Sequence, residues 1–286
     1  MNLRQLAVTL LFATTLTSAA TPQRIVSTTP SITEILFAIG AGDRVAGVTN
    51  YCHYPAAATK LPKIGTYYQP NIEIILSLKP ELVIVQRNTV GLTEKIRALG
   101  LNVLVVDSEK SAGVEAAIES IGAATGQTTQ AAALLKQIRS GLNQLRQATA
   151  KRSPRSMMFI AGRTQGTLQD IVVAGKGSYL DELITIAGGV NIFADSRTSY
   201  PKITFEQVLA RNPDVVVDMA DMSQTGADAK QIERAAIALW KTQSGLKAVR
   251  QNRVFSISND IFVVPGPRIV EAAKAFAAML HPEAKF

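Results

Sequence analysis

Residues 71–86 read Asn-Ile-Glu-Ile-Ile-Leu-Ser-Leu-Lys-Pro-Glu-Leu-Val-Ile-Val-Gln, and residues 204–219 read Thr-Phe-Glu-Gln-Val-Leu-Ala-Arg-Asn-Pro-Asp-Val-Val-Val-Asp-Met. The two stretches are one pattern written twice. Each opens with a helix-capping residue, Asn71 or Thr204, and carries a carboxylate two places on, Glu73 or Glu206. A short apolar helix follows and is stopped by Pro80 or Pro213. An acidic residue then precedes a Val/Ile/Leu run of strand character. Such an echo predicts two lobes of similar build, and two lobes invite a ligand cleft between them. A fainter echo sets Ser31 and Gly42 against Ser178 and Gly189.

Strand and helix signals alternate around both stretches. In the first half, strands are predicted over 24–27, 44–48, 82–86 and 102–106. Helices are predicted up to 39, capped by Ser31 or Thr33, and over 71–78 and 93–99. The second half repeats the alternation, with strands over 156–161, 215–217 and 254–257 and helices over 178–187, 205–210, 231–240 and 268–280. This is an α/β fold with mainly parallel sheets. Between the halves, residues 127–151 contain no proline and bring Ala133, Leu134, Ile138, Leu142 and Leu145 to helical spacing. One long helix is predicted there, tethering the lobes. The expected organisation is a signal peptide over 1–20, an N-terminal α/β lobe over 21–126, a connecting helix over 127–152 and a C-terminal α/β lobe over 153–286.

The signal peptide rests on Arg4, the mostly apolar run 6–17 and the small residues Ser18-Ala19-Ala20, with Thr21 the first mature residue. The run is shorter than the roughly 20 residues that span a bilayer. No cysteine follows it, which argues against a lipid anchor and for a periplasmic protein. The single cysteine, Cys52, excludes an intramolecular disulfide and reads as a small, partly buried residue. The formal charge of +8 comes from scattered basic residues with no interleaved aromatics, so nucleic acid is not an expected partner.

The constellations of enzyme chemistry are missing from the sequence. The two histidines, His53 and His281, stand far apart, and His281 is expected to be solvated in a terminal His-Pro. No paired-His motif or Cys cluster forms a zinc site. Gly175-Lys176-Gly177-Ser178 lacks the full glycine spacing of a phosphate loop. No Gly-x-Ser-x-Gly elbow occurs. A binding protein without a catalytic residue or resident cofactor is therefore expected, with a secreted α/β enzyme the remote alternative.

With these marks in place, the chain resembles the solute-binding proteins of bacterial ABC importers whose lobes are joined by one long helix. That group serves cobalamin, iron siderophores and haem. The resemblance rests on Arg24-Ile25-Val26-Ser27 followed by Thr29-Pro30-Ser31, on the 51–55 turn, and on Asn71-Ile72-Glu73 with Leu78-Lys79-Pro80. In the second half it rests on Gly188-Gly189-Val190-Asn191-Ile192-Phe193, Phe205-Glu206-Gln207-Val208 and Gly266-Pro267-Arg268. The chain is most similar to the cobalamin-binding branch. That resemblance implies a periplasmic monomer that captures a corrinoid and delivers it to a permease dimer with its ATPase, with haem or another metal chelate as the alternative cargo. It also implies that Tyr51, Tyr67, Tyr200 and Phe262 meet the ligand, and that Glu73 and Glu206 dock on permease arginines. Glu73 and Glu206 are equally explained as helix-start carboxylates favoured by the dipole.

Two departures from the cobalamin pattern are Gln86 and Val172, which stand where aromatics are expected; Tyr also replaces Trp at 67 and 200. Arg87 and His53 complete the expected ligand site, with Arg163 and Arg197 leaving a siderophore open. His53 is either an axial ligand to a cargo metal or an ordinary loop histidine.

Overall fold

The computed structural model describes residues 21–87, 91–108, 110–219 and 227–286. The expected signal peptide lies outside the described residues. The first lobe runs β1 (Ile25–Ser27), α1 (Pro30–Ala38), β2 (Val45–Gly47), α2 (Ile72–Ser77), β3 (Leu82–Gln86), α3 (Leu92–Ala98), β4 (Val103–Val106) and α4 (Ser111–Ala124). Its strands form one parallel sheet in the order β2-β1-β3-β4. The long helix α5 (Thr128–Thr149) follows. The second lobe continues with β5 (Arg155–Gly162), β6 (Ile171–Val173), α6 (Tyr179–Ile186), β7 (Gly189–Asn191), β8 (Lys202–Ile203) and α7 (Phe205–Arg211). It ends with β9 (Val215–Met219), α8 (Ala227–Lys241), α9 (Lys247–Arg250), β10 (Val254–Ile257) and α10 (Ile269–Leu280). Its sheet has the order β10-β9-β5-β6-β8, with β7 beside β5. β6 runs antiparallel to both of its neighbours, β5 and β8; the other pairings are parallel.

The echo of the sequence is an echo of backbone. Asn71 caps α2 by accepting from the Ile74 N–H at 3.0 Å, and the Thr204 N–H donates to Gln207 Oε1 at 2.9 Å at the start of α7. Both helices end on a left-handed residue directly before the proline, Lys79 with φ 45° and Asn212 with φ 43°. The strands that follow are covered on both faces, which is why they read as unbroken apolar runs. Leu82 and Ile84 face one apolar cluster while Val83 and Val85 face another. In the second lobe, Met157, Phe159, Val215 and Val217 join that same first cluster, and Met158, Ile160 and Val216 turn to a third built around Trp240. The central cluster is thus continuous through both lobes.

Helix α5 belongs to that central cluster. Its buried stripe is Ala131, Leu135, Ile138, Leu142 and Leu145, spaced alternately by four and three residues. Ala133, expected on this stripe, is exposed, because the buried seam begins two residues earlier. The helix packs on α4 on one side and on α6 and α10 on the other. Two glycines permit that approach: a Cβ on Gly122 would lie 2.5 Å from the Ala131 Cβ, and one on Gly141 would lie 2.8 Å from Val270 Cγ1.

Three local expectations are corrected. Helix α1 is capped by Thr29, not Ser31 or Thr33, because the helix starts at Pro30, whose missing N–H costs nothing at a first helical position. Helix α4 was not expected; its Ala- and Gly-rich buried face blurs the apolar period. His281 is fully buried rather than solvated, since the ends of α5 and α10 and the Gly188 turn close over it. No helix among the described residues is long and apolar enough to cross a membrane.

Candidate functional site

All four first-lobe strands point their C-terminal ends at one cleft between the lobes, as parallel sheets direct their loops. Thr29 and Ser31 follow β1, Tyr51 and His53 follow β2, Gln86 closes β3, and Ser108 and Lys110 follow β4; all line this cleft. From the second lobe come Gly177 and Ser178 at the start of α6, Ser199 and Tyr200 before β8, and Asp260 with Val263, Val264 and Pro265 after β10. The cleft volume is about 810 Å³, within the roughly 300–1,000 Å³ of small-molecule sites.

Of the expected ligand residues, the structure brings Tyr51, Tyr67, Tyr200 and His53 together on this cleft. Tyr68 joins them, its ring centroid 4.3 Å from that of Tyr67. Tyr51 and Tyr200 are each about half exposed, at 47% and 49%, so ring area remains for a ligand to cover. Phe262 does not line the cleft. It is buried in the central cluster, stacked on Phe276 at 5.0 Å, because the turn after β10 points its side chain inward. Arg87 also lies off this cleft: it pairs with Asp107 at 3.4 Å and lines a smaller recess of the first lobe. Arg163 is held by Asp218 at 2.8 Å and is nearly buried. The Gly175–Ser178 stretch serves as a cap, with Ser178 Oγ accepting from the Asp181 N–H at 3.1 Å.

Sequence reading placed Gln86 at the site, as a departure from the aromatic pattern, but missed the rest of the cleft's polar floor. Thr29, Ser31, Gln86, Ser108 and Ser178 are each buried yet line it. Their common signal is position, since each first-lobe member stands just beyond or at the end of a predicted parallel strand. Lys110 and Asp260 are the charged side chains of the lining, one of each sign. Helices α1 and α6 both begin at the cleft, so their N-terminal dipoles favour partial negative charge there. Among the described residues no group of His, Cys, Asp and Glu is arranged to hold a metal ion.

Behind the cleft, the lobes are tied by polar contacts. Arg268 Nε donates to Glu34 Oε2 at 3.0 Å, its Nη2 donates to Glu34 Oε1, and the same Nη2 reaches Asp260 Oδ1 at 2.9 Å. The guanidinium lies 4.2 Å from the Tyr54 ring centroid. Burial pushes the Glu34 carboxyl above the usual carboxylate range, against the pull of Arg268. A second tie runs from the Ser111 N–H of α4 to Glu182 Oε2 of α6 at 2.8 Å.

Glu73 and Glu206 are exposed in the first turns of α2 and α7, and neither lines the cleft. The Thr204 hydroxyl and the backbone N–H of the helix start hold the Glu206 carboxyl below its ordinary range. Exposed Ile74, Leu76 and Leu209 neighbour them in sequence.

The chain is 30% identical over 269 residues to an uncharacterized ABC transporter substrate-binding lipoprotein of Bacillus subtilis, covering 92% of this chain and 81% of that protein. The periplasmic vitamin B12 binding protein of Vibrio cholerae superposes with a TM-score of 0.76 at 28% identity, over 93% of this chain and 99% of that one. The apo periplasmic heme-binding protein of Roseiflexus superposes with a TM-score of 0.77 at 27% identity, over 92% and 99%. These likenesses agree with the two-lobed α/β fold and its single connecting helix. Residues 25–261 match the periplasmic binding protein family, and the chain belongs to that family of substrate-binding transport proteins.

Proposed function

We propose that the chain is the exported solute-binding component of an ABC importer, and that its interlobe cleft captures a corrinoid and presents it to a permease driven by an ATPase. The observation that carries this reading is the cleft itself: four tyrosines over a floor of hydroxyl and amide groups, with one positive and one negative side chain. A corrin is broad, partly apolar and bordered by amides. Tyrosine rings cover such a face, and their hydroxyls reach its polar border. Similarity to a vitamin B12 binding protein supports the same cargo. The two exposed carboxylates, Glu73 and Glu206, act as a two-point gauge for permease arginines, one on each lobe. Export through residues 1–20 places the protein in the periplasm.

Haem is the second reading, favoured by His53 beside the cleft tyrosines, since imidazole and tyrosinate both ligate haem iron. Against it, Lys110 is the basic side chain lining the cleft, whereas haem brings a pair of propionates. A negatively charged ferric siderophore meets the same shortage.

The test is direct. The purified mature protein is incubated separately with cyanocobalamin, haem and a ferric siderophore, desalted, and scanned in the visible range. A stoichiometric corrinoid spectrum is expected. Colour retained only from haem or the siderophore would reassign the cargo, and catalytic turnover of any of them would remove the transport reading.

A further inference from the structure

Across the wall of the cleft, Ser31, Ser108 and Gln86 form a ladder of buried polar groups. Ser108 Oγ donates to Gln86 Oε1 at 3.1 Å, Ser31 Oγ lies 3.4 Å from Ser108 Oγ, and Thr29 Oγ1 lies 3.1 Å from Ser31 Oγ. We infer that this ladder is a specificity-determining subsite that reads a carboxamide on the edge of the ligand. The inference rests on the corrinoid reading and narrows it to corrinoids whose periphery is amidated.

The ladder is built rather than incidental. Its members come from three separate places, the start of α1, the end of β3 and the loop after β4, and all are at most 6% exposed. Polar groups withdrawn this far from water are costly unless bonded. A wall needed only for packing is satisfied more cheaply by apolar side chains, as on the strands behind it. The sequence instead places hydroxyls and an amide on the cleft face.

The chemistry of the ladder selects its partner. Gln86 spends its carbonyl on Ser108, so the group it offers a ligand is an N–H donor. Hydroxyls beside it both donate and accept. None carries formal charge. A primary amide, which has an acceptor and a donor side by side, matches such a surface. A carboxylate has only acceptors and leaves the acceptor side of the hydroxyls unmatched; Lys110 and the start of α1, which also border the cleft, offset only part of its loss of water. The tyrosines therefore accept many flat macrocycles, and the ladder discriminates among them by their edge.

The probes are dicyanocobinamide, whose side chains are amides, and dicyanocobyrinic acid, whose side chains are carboxylates. They share the ring, the cobalt and the axial cyanides. Each is titrated into the wild type, Gln86→Leu and Ser108→Ala, following the visible bands. Wild type is expected to prefer the amidated corrinoid by about tenfold or more, the size of a hydrogen-bond discrimination. Gln86→Leu should weaken the amidated ligand about tenfold and leave the carboxylated one nearly unmoved, closing the gap. Ser108→Ala, a smaller change, should narrow the gap partway and carries the test if Gln86→Leu does not fold. Equal wild-type affinity for both corrinoids, or an equal loss of both in the variants, overturns the subsite alone. A wild type that binds neither corrinoid overturns the corrinoid reading and the subsite together.

Discussion

Arg268 and Glu34, 234 residues apart in sequence, form a two-pronged buried ion pair that fastens the start of α10 to α1. The pair joins the two lobes immediately behind the cleft, and Asp260, which lines the cleft, shares the guanidinium. Removing one partner strands the other. Arg268→Met should destabilise the protein by about 3–5 kcal/mol, the cost of leaving a buried charge uncompensated. The double variant Glu34→Leu with Arg268→Met should recover much of that loss, because it removes both charges. Urea unfolding of the two variants and the wild type measures the difference; a double variant as unstable as the single one would mean that shape, not charge, holds this corner.

The aromatic residues separate into two kinds. Tyr51, Tyr67 and Tyr200 line the cleft, so alanine at any of them should weaken ligand binding by about 1–3 kcal/mol. Phe262 is part of the core, and Phe262→Ala should instead lower stability by about 3–5 kcal/mol. Parallel spectral titrations and denaturant melts distinguish the classes. Unchanged affinity in all three tyrosine variants would remove the cleft assignment.

Glu73 and Glu206 offer the sharpest test of delivery. Replacing both with alanine should abolish uptake while ligand affinity hardly moves, since neither lines the cleft. Reversal to lysine should be worse than alanine, through repulsion from the arginines proposed to receive these carboxylates. Uptake assays beside ligand titrations give the answer. Normal uptake in the double alanine variant would leave these residues as ordinary helix-start carboxylates.

His281 predicts a pH response. Burial holds its pKa below the ordinary value, helped by the nearby Arg155. The unfolded chain therefore takes up a proton at this site before the folded one does. The site's contribution to stability is complete above about pH 6.5 and declines as pH falls below it. The melting temperature should drop between pH 7 and pH 5, and His281→Asn should flatten that part of the curve. An identical slope in the variant would assign the effect elsewhere.

Much of this architecture was legible from local chemistry. Glu73 to Pro80 and Glu206 to Pro213 keep their spacing because each lobe ends a short helix with the same left-handed turn before a proline. Strands β3 and β9 were legible because burial on both faces gives them unbroken apolar runs, Leu82 to Val85 and Val215 to Val217. Helix α4 was not, since Ala117 and Gly122 pack as well as larger residues but carry little hydrophobic signal. The antiparallel edge of β6 and β8 escaped because strands of three and two residues have no period to read. At the site, Tyr51 and Tyr67, expected from the resemblance, line the cleft. Phe262 was misplaced because an aromatic before a helix looks alike whether it faces a ligand or Phe276. Ser31 and Ser108 gave no warning of their role, since only the fold shows that hydroxyls distant in sequence share one wall.

The central cluster that runs through both lobes makes them a single cooperative unit. Neither half can shield its share of those side chains from water once the other is gone. Calorimetry should therefore record one transition, and fragments severed within α5 should fail to fold separately. A ligand held between the lobes then raises the melting of the entire chain. Under the proposed importer role, unloading the cleft then works against the stability of the whole protein rather than of one lobe.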